Sequence, residues 1–310
     1  MFLVCGEALF DVFIGSETDN ALHLDARPGG SPFNVAIGLA RLGQPVAFMS
    51  GIAKDMLGDR LVRTLTREGV DTAPCPRFDA PTTLGMVELD AAGVPHYAFY
   101  GNGAADRLLS AAQLPELGDE FRAIHVGSYA TAVEPVASAL ETLLRRERDR
   151  RLIAYDPNVR LNVEPSLERW HERADTLAGL AHLVKISDED LHLLYGDVDE
   201  PALAARWLDA GAKLVVVTRG ADGATAWNAL GRANVAAPRI AAIDTVGAGD
   251  TFQAAMLSHL AETDQLTPAS LAQMDTRALT RLLDFAARAA AITCSRRGAD
   301  MPRRAELAEA

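Results

Sequence analysis

Apolar positions along the chain fall into two alternating rhythms. Short, nearly unbroken apolar runs at residues 2–5, 46–50, 123–127, 152–156, 183–186 and 214–218 have the length and composition of strands buried on both faces. Between them, apolar residues recur at helical spacing over 32–42, 57–68, 135–148 and 201–210. This alternation predicts an α/β fold with a mostly parallel central sheet flanked by helices on both faces. Two further helices are expected at 251–261 and 276–294, and then a tail at 302–310 that is frayed or a short helix. One stretch breaks the rhythm. Residues 82–89 and 96–100 are strand-like and flank the turn-rich connection Asp90-Ala91-Ala92-Gly93-Val94-Pro95. They predict a β-hairpin outside the main sheet. With residues around 12–24 it would form a small β lid over a cleft. No repeat or linker divides the chain, so a single domain over 1–310 is expected, with the lid built from about 12–28 and 78–102.

Composition narrows the function classes. A formal net charge of −12 argues against general affinity for nucleic acid or an anionic membrane. No apolar stretch is long enough for a membrane span. The start, Met1-Phe2-Leu3-Val4-Cys5-Gly6, has no basic region before it and no small-residue cleavage site. It reads as a buried first strand rather than a signal peptide, and a cytoplasmic location is expected. Cys5, Cys75 and Cys294 are far apart and read as free thiols. The basic run Arg145-Arg146-Glu147-Arg148-Asp149-Arg150-Arg151 is interrupted by acids and is expected to be a solvated helix end.

The segment richest in chemistry is Asp244-Thr245-Val246-Gly247-Ala248-Gly249-Asp250-Thr251-Phe252. Glycines let backbone approach a ligand closely, and a helical pattern follows at once. Unbonded N–H groups at such a helix start favour an anion. A carboxylate at Asp250 suits either of two roles, a helix cap or a base beside a phosphate site. Far upstream, Gly29-Gly30-Ser31-Pro32-Phe33-Asn34-Val35-Ala36-Ile37-Gly38-Leu39-Ala40-Arg41-Leu42-Gly43 has Ser31 placed to cap a helix, Pro32 to begin it and Gly43 to end it. A capped core helix accounts for those three residues. It does not account for polar Asn34 in the first turn or for the double glycine.

Both segments resemble the signatures of the ribokinase-like carbohydrate kinases, the phosphofructokinase-B type. The downstream one is similar to Asp-Thr-x-Gly-Ala-Gly-Asp-x-Phe, and the upstream one to Gly-Gly-x-x-x-Asn-x-Ala…Leu-Gly. The resemblance implies phosphoryl transfer from ATP to a sugar hydroxyl. Asp250 would be the base, and the N–H groups of Gly247, Ala248 and Gly249 would face the developing charge. It implies sugar contacts from Asp11, which follows the first strand, from Gly29 and Gly30, and from Asn34. Tyr155-Asp156-Pro157-Asn158-Val159-Arg160 and the hairpin segments Pro81-Thr82-Thr83-Leu84 and Tyr97-Ala98-Phe99-Tyr100 look like fructokinase segments. They add Arg160 and Phe99 to the sugar side.

On the nucleotide side, Lys185-Ile186-Ser187-Asp188-Glu189-Asp190 resembles the family's Asn-x-x-Glu element, with Ser187 in place of Asn and Asp190 in place of Glu. Asp190 would hold Mg²⁺ through water. A capping box is the alternative reading of the same residues. Val217-Thr218-Arg219-Gly220-Ala221-Asp222-Gly223 is similar to the Thr-x-Gly-x-x-Gly nucleotide loop, and Ala287 and Ala291 would border adenine. A monovalent-cation site, for K⁺, is implied near Asp244 and Arg297-Gly298. The expected activity is that of an ATP-dependent fructokinase acting at the 6-hydroxyl. The alternatives are a 2-keto-3-deoxygluconate kinase or other sugar kinase, and a non-catalytic sugar or nucleotide sensor. No Arg follows Tyr100 before Arg107, which favours a neutral ketohexose over a keto acid. Sugar and ATP are the expected partners, together with a second copy of the chain paired through the lid.

Overall fold

The computed structural model describes residues 1–89 and 95–308. In chain order the elements are β1 Phe2–Cys5, β2 Leu9–Thr18, β3 Ala21–Gly29, α1 Ser31–Arg41, β4 Val46–Met49, β5 Ile52–Ala53, α2 Met56–Arg67, β6 Arg77–Phe78, β7 Leu84–Leu89 and β8 Pro95–Tyr100. They continue with β9 Ala123–Gly127, α3 Val136–Glu147, β10 Leu152–Asp156, α4 Leu167–Leu180, β11 Leu183–Ser187, α5 Asp188–Tyr195, α6 Glu200–Ala210, β12 Leu214–Thr218, β13 Ala224–Asn228 and β14 Gly231–Val235. The last three helices are α7 Ala248–Glu262, α8 Pro268–Ala272 and α9 Thr276–Cys294.

The main sheet runs β14-β13-β12-β11-β10-β9-β1-β4. It is parallel from β4 through β12 and antiparallel at β13 and β14. Its strands are apolar on both faces because helices cover both. Alternation along β1 shows the division. Phe2 and Val4 pack with α1, α7 and α9, whereas Leu3 and Cys5 pack with α3, α4 and α6. A separate four-stranded sheet runs β3-β2-β7-β8, with β2 parallel to β7 and the other pairs antiparallel. The expected hairpin is therefore β7–β8. Its connection at residues 90–94 lies outside the described residues, as does the end of the tail. The small sheet begins earlier than residue 12, because β2 continues directly from the turn after β1.

Several elements were not anticipated. Among them α4 carries its buried Trp170, Ala174, Leu177 and Ala178 between charged residues, which blurs the helical period. The basic run after α3 is also not wholly solvated. Arg151 and Glu147 form a buried ion pair, and Arg151 Nη2 donates to the Leu117 carbonyl at 2.8 Å. Cys5, Cys75 and Cys294 are free thiols. No helix among the described residues is long and apolar enough to cross a membrane.

Candidate active site

The segments singled out in the sequence meet at one edge of the main sheet. Residues after β1, β9, β10 and β11 all leave the carboxyl ends of parallel strands, where open α/β sheets collect ligands. A cleft of about 510 Å³ opens there. Asp11, Gly30, Asn34, Phe99, Arg160, Ser187, Asp190, Gly247, Gly249 and Asp250 all line it.

Asp250 sits on the cleft floor in the first turn of α7 and is buried. The helix starts three residues earlier than the apolar pattern implies, with left-handed Gly247 as its cap (φ 77°). Asp250 is therefore not the cap. Its carboxylate is gripped from α1 instead: Ser31 Oγ donates to Oδ1 at 2.6 Å and Asn34 Nδ2 to Oδ2 at 2.8 Å. Ser31 is not a cap either. Gly30, at φ 111°, takes that position, and a Cβ on it would lie 2.7 Å from the Glu7 carbonyl oxygen. Ser31 is thereby freed to reach the partner helix. Burial pushes the Asp250 carboxyl above its ordinary range, against the pull of Ser31, Asn34 and Lys185.

The turn before α7 is narrower as an anion site than Gly247, Ala248 and Gly249 together would make it. The Ala248 N–H donates to the Thr245 carbonyl at 3.2 Å, and Ala248 does not line the cleft. First-turn amides lack intrahelical acceptors, which leaves those of Gly247, Gly249 and Asp250 as the donors of the helix start with no such acceptor among the described residues. Lys185 Nζ stands close beneath Gly249, 3.1 Å from where a Cβ would be.

The opposite wall comes from the small sheet. Asp11 on β2, Gly85 on β7 and Phe99 on β8 form one cross-strand row. A Cβ on Gly85 would press on both Phe99 and Asp11, and one on Gly29 would overlap the Asp11 carboxylate. Gly29 thus serves by making room for Asp11 and does not itself line the cleft. Burial raises the Asp11 carboxyl to about 6, with Arg160 opposing the rise. Phe99 meets Tyr129 edge-on at 6.4 Å. Arg107 is buried behind that ring, with its guanidinium 5.4 Å over Tyr129, and does not line the cleft.

On the remaining side Ser187 caps α5, accepting from the Asp190 amide at 3.0 Å. The capping reading of that motif therefore holds for Ser187. Asp190 still faces the cleft; its Oδ1 accepts from the Val159 N–H at 3.2 Å, and burial raises its carboxyl to about 6. Thr218 ends β12 directly beside Ser187. Gly220 is exposed in the turn that follows. Gly223 is fixed by packing, since a Cβ there would overlap the Val235 carbonyl. Ala287 lines a separate hollow of about 400 Å³ with Pro238, His259, Arg281 and Arg288, and that hollow shares no wall residue with the main cleft. Asp244 spends both carboxylate oxygens on the amides of Val246 and Gly298, which ties together the two segments where a monovalent cation was expected.

Three site residues escaped the sequence reading. Glu7 is buried, lines the cleft, accepts from the Ser31 amide at 3.2 Å, and has its carboxyl raised by burial to about 7. Ser31 was assigned to capping. Lys185 was passed over as one residue of an apolar strand, although a lysine there is itself a signal.

Comparison with known proteins identifies the family. The model of the pfkB family carbohydrate kinase matches residues 2–305. A fructokinase of Rhizobium leguminosarum bv. trifolii is 41% identical over 279 residues, spanning 90% of this chain and 85% of that protein. The crystal structure of a fructokinase from Xylella fastidiosa with bound ATP superposes with a TM-score of 0.92 at 29% identity, covering 99% of this chain and 97% of that one. A Vibrio cholerae O395 fructokinase in its fructose, ADP and calcium ion bound form gives 0.82 at 27% identity, with 99% and 97% covered.

Proposed function

The chain belongs to the pfkB family of carbohydrate kinases, and we propose that it is an ATP-dependent fructokinase that phosphorylates the 6-hydroxyl of fructose. One observation carries this reading: a buried carboxylate, Asp250, stands at a helix start with free amides beside it, in the same cleft as Asp11 and Phe99. Asp250 takes the proton of the primary hydroxyl as its oxygen bonds to the γ-phosphorus of ATP. The bond from that phosphorus to the bridging oxygen breaks, and ADP leaves. The Gly249 and Asp250 amides, with the α7 dipole behind them, lie where negative charge grows on the phosphoryl oxygens. Asp11 accepts from sugar hydroxyls, Phe99 packs on the ring, and Arg160 closes that side. Thr218 and Gly220 border the nucleotide beside Ser187.

The residues present suit Mg²⁺. Asp190 and Glu189 offer hard oxygens at the cleft wall, and no cluster of three potential metal-ligating side chains exists among the described residues. That donor set fits an ion that keeps its waters and takes phosphate oxygens. When bound with ATP, Mg²⁺ would neutralise charge on the phosphates. Fructose is favoured over a keto acid because Arg107 is turned away behind Tyr129, which leaves Arg160 as the one guanidinium among the residues lining the cleft. A cytoplasmic location is part of the same proposal.

ADP release should be fastest with fructose in a panel that includes 2-keto-3-deoxygluconate, ribose and adenosine, and phosphorus-coupled NMR should place the product phosphate on C6. A higher kcat/KM for the keto acid would overturn the substrate assignment. Pairing of two copies through the small sheet is part of the same proposal. Strand β3 is an edge strand, and Leu22 and Leu24 are 48% and 51% exposed on it. Sedimentation should give a dimer that Leu22→Lys/Leu24→Lys converts to monomer; a wild-type monomer at assay concentration would exclude it.

A further inference from the structure

We propose that the buried Lys185–Asp156 pair is a positioning element of the transfer centre: its ammonium supplies fixed positive charge beneath the turn that receives the phosphoryl group. The inference rests on the kinase reading above.

The geometry is specific. Lys185 Nζ donates to Asp156 Oδ2 at 2.8 Å, with side-chain exposures of only 4% and 1%. Strand alternation directs both residues to the face covered by α1 and α7, because Leu183 and Ala154, two positions before them, pack on that face. His125 on β9 shares this face and meets Gln253 of α7 at 3.3 Å. A polar string thus crosses a face that is otherwise apolar, directly under the start of α7. Burial of such a pair is weak evidence for stability, since two charges leave water to form it. A functional demand is the better account.

The charges lining the cleft show what the demand is. Carboxyls come from Glu7, Asp11, Glu189, Asp190 and Asp250, with Asp156 just behind; the cations are Arg160 and Lys185. Arg160 is exposed and donates to its neighbour's carbonyl, Val159 O, at 2.8 Å. Lys185 is the one buried cation among the described residues of this wall, and it lies against Gly249. An anionic phosphoryl group entering a site so rich in acids needs a fixed cation of this kind. Asp156 holds the ammonium in place, and its own Oδ1 has no hydrogen-bond partner among the described residues. Burial raises the Asp250 carboxyl and Asp156 adds to the rise, while Ser31, Asn34 and Lys185 oppose it.

The test uses Lys185→Met and the double variant Lys185→Met/Asp156→Asn in the full chain. The single variant leaves a buried carboxylate alone and is expected to lose thermal stability. The double variant removes both charges and should recover it. A structural pair predicts that activity returns with stability. The positioning role predicts that the acid limb of kcat/KM moves upward by roughly one pH unit in the single variant, which loses the ammonium and keeps Asp156, and that activity in the double variant stays low although its stability returns. It also predicts about tenfold weaker binding of a non-hydrolysable ATP analogue by calorimetry. A double variant with wild-type stability, activity and nucleotide affinity would overturn the proposal. A wild-type protein that binds the analogue but phosphorylates none of the sugars would instead fault the functional assignment, and the calorimetric comparison would still judge the pair.

Discussion

Asp250→Asn is expected to lower kcat by about 10²–10⁴-fold, the usual contribution of a positioned general base, while fructose affinity measured by calorimetry stays near that of the wild type. The carboxylate is not a surface group that water could replace. It is buried at the base of the cleft and held at both oxygens by Ser31 and Asn34. An amide fills the same space but cannot take a proton from a hydroxyl. Asp11 and Phe99, on the opposite wall, keep their places, so sugar binding should persist. The pH profile of the wild type adds a signed expectation. Burial raises the Asp250 carboxyl above its ordinary value of 3.8. The active form is the ionised one, so activity must fall as pH drops through that raised value. The acid limb should therefore lie above the ordinary carboxylate range, and it should be absent from the residual activity of the variant. Turnover close to wild type would remove Asp250 from the role of base.

How much of this was legible before coordinates follows from the kind of information each feature needs. The strands from β1 through β12 of the main sheet could be read because burial on both faces leaves continuous apolar runs. The start of α7 could be read because glycine and aspartate are demanding residues to place before a helix. What could not be read was who holds whom. Ser31 lies 219 residues from Asp250 and carries the local signature of a cap. Only the positive φ of Gly30 moves the cap back by one residue and releases the hydroxyl. The Asp11, Gly85 and Phe99 row depends on cross-strand register, which local propensity does not specify. Gly29 and Gly223 look like ligand-facing glycines in sequence. In space each clears a neighbour, the Asp11 carboxylate or the Val235 carbonyl. Lys185 was visible as a lone cation in an apolar strand, but its meaning required Asp156 on the adjoining strand.

Asp11→Asn should raise the KM for fructose by roughly 10–100-fold and, in the sugar-free protein, raise Tm. The first effect follows from hydrogen bonds between sugar hydroxyls and a charged acceptor, each worth about 1.5–3 kcal/mol. An amide oxygen is a weaker acceptor, and the NH₂ beside it offers donors where the carboxylate offers none. The second effect follows from linkage. Burial raises the Asp11 carboxyl from 3.8 to about 6. The folded state therefore binds the proton more tightly than the unfolded state does. The stability this confers is complete below the unfolded value and is lost as pH rises through 6. At neutral pH the ionised group costs up to about 3 kcal/mol, which a neutral amide avoids. Glycines at 29 and 85 show the same trade, because backbone is left without side chains so that the carboxylate can stand in the cleft. The gap in Tm between wild type and variant should narrow as pH falls below 6 and close only below about 3.8, where Asp11 is protonated in the unfolded chain as well. A variant with unchanged KM would mean that the sugar is held elsewhere, and an unchanged or lower Tm at pH 7.5 would mean that solvent already screens the charge.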